Sequence, residues 1–134
     1  MNRSSYYDVG MNDYSYFKQV MCANLDFPNY NGIAVQAQQI VEKLLKYILS
    51  ELCTKEDNTD ILRSHKLVNL YNTILSQDID IVLNKDDLRF LTDFYYDARC
   101  PGNDYIVVTI EDAERAIAIV DEVVHQIEIL KTEK

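Results

Sequence analysis

The sequence has few residues that end secondary structure, with only 3 glycines and 2 prolines in 134 positions. Many short strands joined by tight turns would require more of them, so this scarcity favours a few long helices. A chain of this length can close one hydrophobic core without disulfides or a structural metal. Hydrophobic residues make up 48% of the chain, too many for a disordered protein. These features predict a single all-α domain.

Cysteine and histidine are also scarce, and their spacing excludes a recognisable metal site. Cys22, Cys53 and Cys100 are far apart and form no Cys-x-x-Cys pair, and the chain has 2 histidines. Thiols in this arrangement indicate buried, unpaired cysteines in a reducing compartment. The first residues lack the apolar run of a signal peptide, and no segment approaches the roughly 18 apolar residues of a membrane span. We therefore expect a cytoplasmic protein with no metal, cofactor or membrane association.

Basic residues are outnumbered by acidic residues, 13 to 22, which gives the chain a net charge of -9. This balance disfavours broad nucleic-acid binding, which normally requires a basic face. Lys43, Lys46, Arg63 and Lys66 form two short clusters. If they converge, they would make a positive patch large enough for one nucleotide or phosphate group. The simpler alternative is that they lie on solvated helix faces.

Five helical patterns are visible along the chain, and the second is the strongest. Residues 1–11 are polar and tyrosine-rich, and we interpret them as a flexible arm or a short extra turn. The first helix is predicted from about Asn12 to Asp26. The second has the widest apolar stripe, over residues 33–52. The third is predicted to start near Ser64, whose hydroxyl suits an N-cap.

The second half of the domain contains a connector and two capped helices. Residues 77–83 alternate polar and apolar side chains but have no partner strand, so we interpret them as a connector. Asn84 is the predicted N-cap of the fourth helix. Thr109 and Asp112 have capping-box spacing at the start of the fifth. The patterns together predict an up-and-down four-helix bundle with an additional helix, spanning residues 12–131.

The fifth helix is apolar over a large part of its circumference, which suggests that it buries a second face. That face would lie either within the monomer or across a dimer. A homodimer is the predicted arrangement, with the first helix and its aromatic residues Tyr14, Tyr16 and Phe17 as the next candidate surface.

Three motifs in order resemble the HEPN domain family of small helical bundles. Residues 34–46, Ala-Val-Gln-Ala-Gln-Gln-Ile-Val-Glu-Lys-Leu-Leu-Lys, resemble its second helix, and Ser-His-Lys-Leu-Val-Asn-Leu at 64–70 resembles its Ser/Thr-His-x-Leu-x-x-Leu element. Residues 95–101, Tyr-Tyr-Asp-Ala-Arg-Cys-Pro, resemble its Tyr-x-x-x-Arg-Tyr-Pro element, and 111–118 its final helix. The resemblance covers roughly residues 12–130. Cys100 departs from it, because an aromatic residue is common there.

The resemblance implies one of two functional branches. Many HEPN proteins are ribonucleases that use an arginine followed four to six residues later by a histidine, and this spacing is absent here. Others accompany nucleotidyltransferases and are thought to bind nucleotides or small polar substrates without catalysis. The sequence fits the second branch better, so we expect a non-catalytic module with a nucleotidyltransferase as its partner. A ribonuclease with a non-standard site and a purely structural dimeric protein are the alternatives.

Four residues form the predicted ligand-binding site: His65, Lys66, Tyr96 and Arg99. His65 is expected at a helix N-terminus, where free backbone N–H groups suit an anion. Arg99 could pair with a phosphate or carboxylate, and Tyr96 would line the same cleft with Lys66 at its rim. The alternatives to ligand binding are structural roles: a capping histidine, an arginine that complements a helix dipole, and a tyrosine that only packs.

Acidic residues of the fourth helix offer a weaker possibility. Asp93 and Asp97 share a helix face and would resemble paired catalytic carboxylates. Arg89 and Asp93 are, however, also spaced for an ordinary i,i+4 ion pair. We expect the ion pair, and no catalytic residue is assigned.

Overall fold

The chain folds as an all-helical bundle. The computed structural model describes residues 5–22, 30–53, 56–97 and 108–132, without the side chains of 20–22 and 95–97. Its α-helices are Tyr6–Cys22 (α1), Tyr30–Tyr47 (α2), Leu67–Ser76 (α3), Lys85–Asp97 (α4) and Ile110–Thr132 (α5). A π-helical turn, Ile48–Leu52, extends α2, and a 3-10 turn, Ile61–Arg63, precedes α3. These residues include no strand, which confirms the predicted all-α bundle.

Helix α2 lies at the centre of the bundle and packs against each of the other four helices. Its apolar stripe is almost completely buried, including Ile40, Val41, Leu44 and Leu45. A helix that contacts neighbours on several sides needs a wide apolar face, and the sequence of α2 supplies one. Polar residues of α2 that share this buried position, Gln38 and Lys46, therefore require partners from the protein itself.

Helix α1 begins earlier than predicted, at Tyr6 instead of Asn12, so residues 6–11 are helical and not an arm. The reason is Ser5, whose Oγ accepts a hydrogen bond from the Asp8 backbone N–H at 3.1 Å and caps the helix. The helix also carries apolar contacts from its first turns, because Tyr7 and Met11 pack against the core. Its predicted extension to Asp26 falls partly outside the described residues.

Hydrogen bonds and ion pairs fasten α1 to α5. The Tyr14 hydroxyl donates to Asp121 Oδ1 at 2.7 Å, and Lys18 Nζ pairs with the same carboxylate at 3.2 Å. Burial, together with the hydrogen bond and the negative charge of Asp121, raises the pKa of Tyr14 to about 12. The phenol is therefore a permanent donor at physiological pH.

The predicted start of the third helix is wrong. Helix α3 begins at Leu67, and Ser64 lies outside it with an extended backbone (ψ 144°). The Ser64 Oγ accepts the Lys66 N–H at 3.1 Å, which makes a local turn before the helix and not an N-cap. Lys66 occupies the N-cap position without a side-chain capping bond. This shift moves His65 from the helix to the extended segment in front of it.

The predicted connector and both predicted caps are confirmed. Residues 79–84 have no regular structure, and the Tyr71 hydroxyl holds them by bonding the Ile81 carbonyl and the Leu83 N–H. The Asn84 Oδ1 accepts the N–H groups of residues 86 and 87 at the start of α4. Thr109 Oγ1 accepts the N–H of residue 112 at the start of α5.

Most of the apolar surface of α5 is buried inside the monomer, mainly against α2. Of the two residues that widen its stripe, Ile119 is buried and Ile129 is exposed, and Ile110 is exposed as well. Helix α5 therefore offers less free surface for a second copy than its sequence suggested, and the homodimer stays a prediction. Cys53 is buried, and no described helix is long and apolar enough to cross a membrane.

Candidate ligand-binding groove and its neighbouring polar cluster

A groove of about 480 Å³ lies between the start of α3 and the middle of α4. Helix α4 contributes side chains at i, i+3 and i+4 spacing, which places them on one helix face. The described lining residues are Lys66, Val68, Asn69, Arg89, Thr92 and Asp93. The groove therefore combines apolar surface with two cationic side chains and one carboxylate.

A single threonine holds the two helices together beneath the groove. The Leu67 backbone N–H, the first of α3, donates to Thr92 Oγ1 at 3.2 Å, and the Thr92 hydroxyl donates to the Leu88 carbonyl at 2.9 Å. Leu67 and Leu88 are both buried. The start of α3 therefore adjoins the middle of α4.

The charges around the groove are arranged differently from the sequence prediction. Arg89 Nη1 pairs with Asp86 at 3.1 Å, so the predicted Arg89–Asp93 pair is wrong. Asp86 and Arg89 are three positions apart (i,i+3) on α4, and both side chains are largely exposed. Asp93 is exposed and lines the groove with Lys66, while the side chain of Asp97 lies outside the described residues.

His65 is not among the described lining residues of the groove and lies one residue before the N-cap of α3, in contrast to its predicted placement. Its Nδ1 lies 2.9 Å from Glu42 Oε1 on α2, and its carbonyl accepts a hydrogen bond from Gln38 Nε2 at 3.1 Å. The physical reason is the later start of α3, which leaves His65 in an extended segment running past α2. The partly buried carboxylate of Glu42 attracts the imidazole there.

Glu42 is the centre of this polar cluster, which also contains Gln38, Lys46 and His65. Gln38 Nε2 donates to Glu42 Oε1 and Lys46 Nζ to Glu42 Oε2, both at 3.0 Å. Burial alone would raise the pKa of Glu42, but the hydrogen bonds from Gln38, His65 and Lys46 outweigh it and lower the pKa. The sequence signal that we missed is the i,i+4 series Gln38, Glu42, Lys46 on the inner face of α2.

The predicted positive patch does not assemble from all four basic residues. Lys43 pairs with Asp13 of α1, and Lys46 is buried against Glu42. Arg63 is exposed in the 3-10 turn, and only Lys66 reaches the groove. Three of the four basic residues therefore lie away from the groove, and the simpler alternative of solvated helix faces does not hold for Lys46, which is buried.

The last two predicted site residues fall at the limit of the described chain. Position 96 belongs to α4 and lies three and four residues after Asp93 and Thr92, but the Tyr96 side chain lies outside the described part. Arg99 lies outside it altogether. Within the described residues, no group of three or more histidine, cysteine, aspartate or glutamate side chains could hold a metal ion.

Comparison with known proteins gives one family. The model of the HEPN domain matches residues 18–130, a range that includes the end of α1, all of α2 to α4, most of α5 and the groove. No curated protein and no solved structure matches the chain. The match covers most of the sequence and agrees with the three motifs identified from it. The chain therefore belongs to the HEPN domain family.

Proposed function

We propose that this HEPN protein is a non-catalytic module that binds a nucleotide or another small polar anion in the groove between α3 and α4. The observation that supports this most is the placement of Lys66 and Arg89 on opposite helices of one solvent-open groove. A volume of about 480 Å³ lies within the roughly 300–1,000 Å³ typical of small-molecule sites.

The lining residues have complementary roles toward such a ligand. The Lys66 ammonium and the Arg89 guanidinium are donors for a phosphate or carboxylate, and the Asn69 amide adds a neutral donor. The Asp93 carboxylate can only accept hydrogen bonds at neutral pH, so it suits a ribose hydroxyl or an exocyclic amine. A nucleotide carries both kinds of group.

The absence of catalysis is part of the proposal and has its own support. The chain has no arginine followed four to six residues later by a histidine, because His65 comes two residues after Arg63 and His125 ten after Arg115. The His65 imidazole is bonded to Glu42 and is not among the described lining residues of the groove. Metal-independent cleavage of single-stranded RNA, lost in His65→Ala, would establish the ribonuclease alternative instead.

Charge-removing variants test the groove directly. We expect Lys66→Gln and Arg89→Gln each to weaken binding of a nucleoside monophosphate about three- to tenfold, since exposed charge-assisted bonds contribute about 1 kcal/mol. Lys85→Gln is the matched control, because Lys85 is an exposed cation of α4 that does not line the groove. Isothermal titration at low and high salt would measure the affinities. Equal affinity in all four proteins would reject the groove as the binding site.

Arg99 and Tyr96 remain proposed members of the same site. Arg99→Ala should weaken nucleotide binding by roughly tenfold while the fold is retained, because a hydrogen-bonded ion pair to phosphate contributes about 1.5–3 kcal/mol. Circular dichroism would check the fold. If Arg99→Ala binds like the wild type or unfolds, Arg99 is a structural residue.

A homodimer and a nucleotidyltransferase partner complete the proposal. Tyr6 and Tyr16 on α1 and Ile129 on α5 are exposed apolar side chains that a second copy would cover. The start of α1 lies against the end of α5, because the Tyr7 hydroxyl bonds Glu128. Light scattering that shows a monomer at tens of micromolar would reject the dimer. The partner is tested by co-purification with the nucleotidyltransferase encoded beside this chain, where one exists.

A further inference from the structure

The structure assigns His65 a role different from ligand binding: it is a positioning residue. Together with Glu42 and Gln38 of α2, His65 holds the segment 64–66 so that Lys66 stands at the groove. This inference rests on the proposed function only for the identity of the ligand. The clamp itself, defined as the contacts of His65 with Glu42 and Gln38, is a feature of the fold.

The clamp holds one residue at two atoms. Glu42 Oε1 binds the His65 ring nitrogen at 2.9 Å, and Gln38 Nε2 binds the His65 carbonyl oxygen at 3.1 Å. One contact therefore restrains the side chain and the other the backbone. A residue restrained at both has little freedom to rotate, so the next residue, Lys66, leaves it in a defined direction.

The α2 side of the clamp is rigid because its polar groups have fixed orientations. Gln38 is fully buried, and its amide nitrogen donates to both Glu42 Oε1 and the His65 carbonyl. Turning the amide over would place its oxygen against two acceptors, which is unfavourable. Gln38 Oε1 has no hydrogen-bond partner among the described residues. Glu42 is held in turn by Lys46, whose side chain is buried.

The other side of Lys66 is also restrained. Its backbone N–H donates to Ser64 Oγ at 3.1 Å, and the next N–H, that of Leu67, donates to Thr92 Oγ1 on α4 at 3.2 Å. Lys66 therefore lies between an attachment to α2 and an attachment to α4. Its side chain has no ion-pair partner within the described part of the chain and lines the groove. The backbone that carries this cation is therefore placed before any ligand arrives, which reduces the ordering cost of binding.

Two substitutions of His65 separate positioning from direct ligand contact. The amide nitrogen of asparagine occupies nearly the place of the histidine Nδ1, so His65→Asn keeps the donor toward Glu42, whereas His65→Ala removes it. We expect His65→Ala to weaken binding of a nucleoside monophosphate about three- to tenfold and His65→Asn to remain near wild type. If both weaken binding equally, the imidazole itself contacts the ligand and the inference is overturned.

Two further measurements exclude a general loss of stability and a failure of the proposed function. Hydrogen exchange of the Leu67 amide should accelerate about tenfold in His65→Ala, while that of Ile74, in the buried part of α3, should not change. Unchanged Leu67 exchange would overturn the clamp, whatever the protein binds.

Addition of Lys66→Gln to His65→Ala should cost little more affinity than either change alone, because both act through one side chain. Fully additive losses would overturn the inference. Absence of nucleotide binding by the wild type would reject the proposed function, and Leu67 exchange would still decide the clamp.

Discussion

Removal of one hydroxyl group from the core should destabilise the connector that leads into α4. The Tyr71 hydroxyl donates to the Ile81 carbonyl at 2.9 Å and accepts the Leu83 N–H at 3.0 Å. Tyr71, Ile81 and Leu83 are all buried. Tyr71→Phe keeps the ring and its packing, and it leaves two buried backbone groups without this partner.

The expected cost follows from the number of groups left unpaired. An unsatisfied buried donor or acceptor costs about 1–3 kcal/mol, and some of this is recovered because the phenol no longer has to be dehydrated. We expect Tyr71→Phe to lower the free energy of unfolding by about 2 kcal/mol. Since domains of this size are stable by roughly 5–15 kcal/mol, the loss is readily measured.

Urea denaturation of three proteins tests this prediction. Tyr16→Phe is the matched control, because the same atom is removed from a side chain that is 60% exposed. The midpoint should fall for Tyr71→Phe and stay constant for Tyr16→Phe, with equal m-values for all three proteins. A difference below about 0.5 kcal/mol between the two variants would refute the reasoning, since the connector would then satisfy its backbone groups by another route.

Three further substitutions give expected outcomes of known sign. A Cβ at Gly10 would approach Leu44 Cδ2 at 3.0 Å, and Leu44 is fully buried. Gly10→Ala should therefore destabilise the fold by about 1 kcal/mol in thermal unfolding, although alanine favours the helix. A more stable Gly10→Ala would show that Leu44 can move. Asn84→Ala removes the cap of α4 and should lower the free energy of unfolding, measured by urea denaturation, by about 1 kcal/mol. An unchanged midpoint would show that the Asn84 cap does not stabilise α4. The lowered pKa of Glu42 stabilises the fold at neutral pH, and this contribution is lost as the pH falls below the usual value of 4.5 through the folded-state value. Glu42→Gln should therefore flatten the decline of stability on the acid side, unlike Glu51→Gln at an exposed position, and identical declines would contradict this assignment.

The helices that the sequence located well are those specified by short-range interactions. The apolar stripe of α2 and the caps Asn84 and Thr109 involve residues three or four positions apart, so they are visible in a short window of sequence. The start of α1 was missed although Ser5 carries a local cap. The polar, tyrosine-rich composition obscured it, because Tyr7 and Tyr14 combine apolar packing with hydroxyl groups that bond α5.

The candidate site could be predicted only in part. Lys66 was placed at a cleft beside the fourth helix from helix order alone, because consecutive antiparallel helices bring the start of one near the end of the next. Asn69, Thr92 and Asp93 were not assigned to the site, since their relevance depends on which face of each helix meets the groove. Arg89 was assigned the wrong partner because Asp86 and Asp93 are both within one helical turn of it.

By itself, the sequence determined the all-α class, the family and the wide apolar stripe of α2, since these depend on composition, periodicity and motif order. Tertiary structure alone decided the role of the segment before α3. His65 is 23 residues from Glu42 in the chain, and Leu67 is 25 from Thr92. Both contacts exist because α2 and α4 pack on either side of this segment. Local rules favoured a helix starting at Ser64, whereas hydrogen bonds from two distant helices stabilise an extended backbone there and turn His65 toward Glu42.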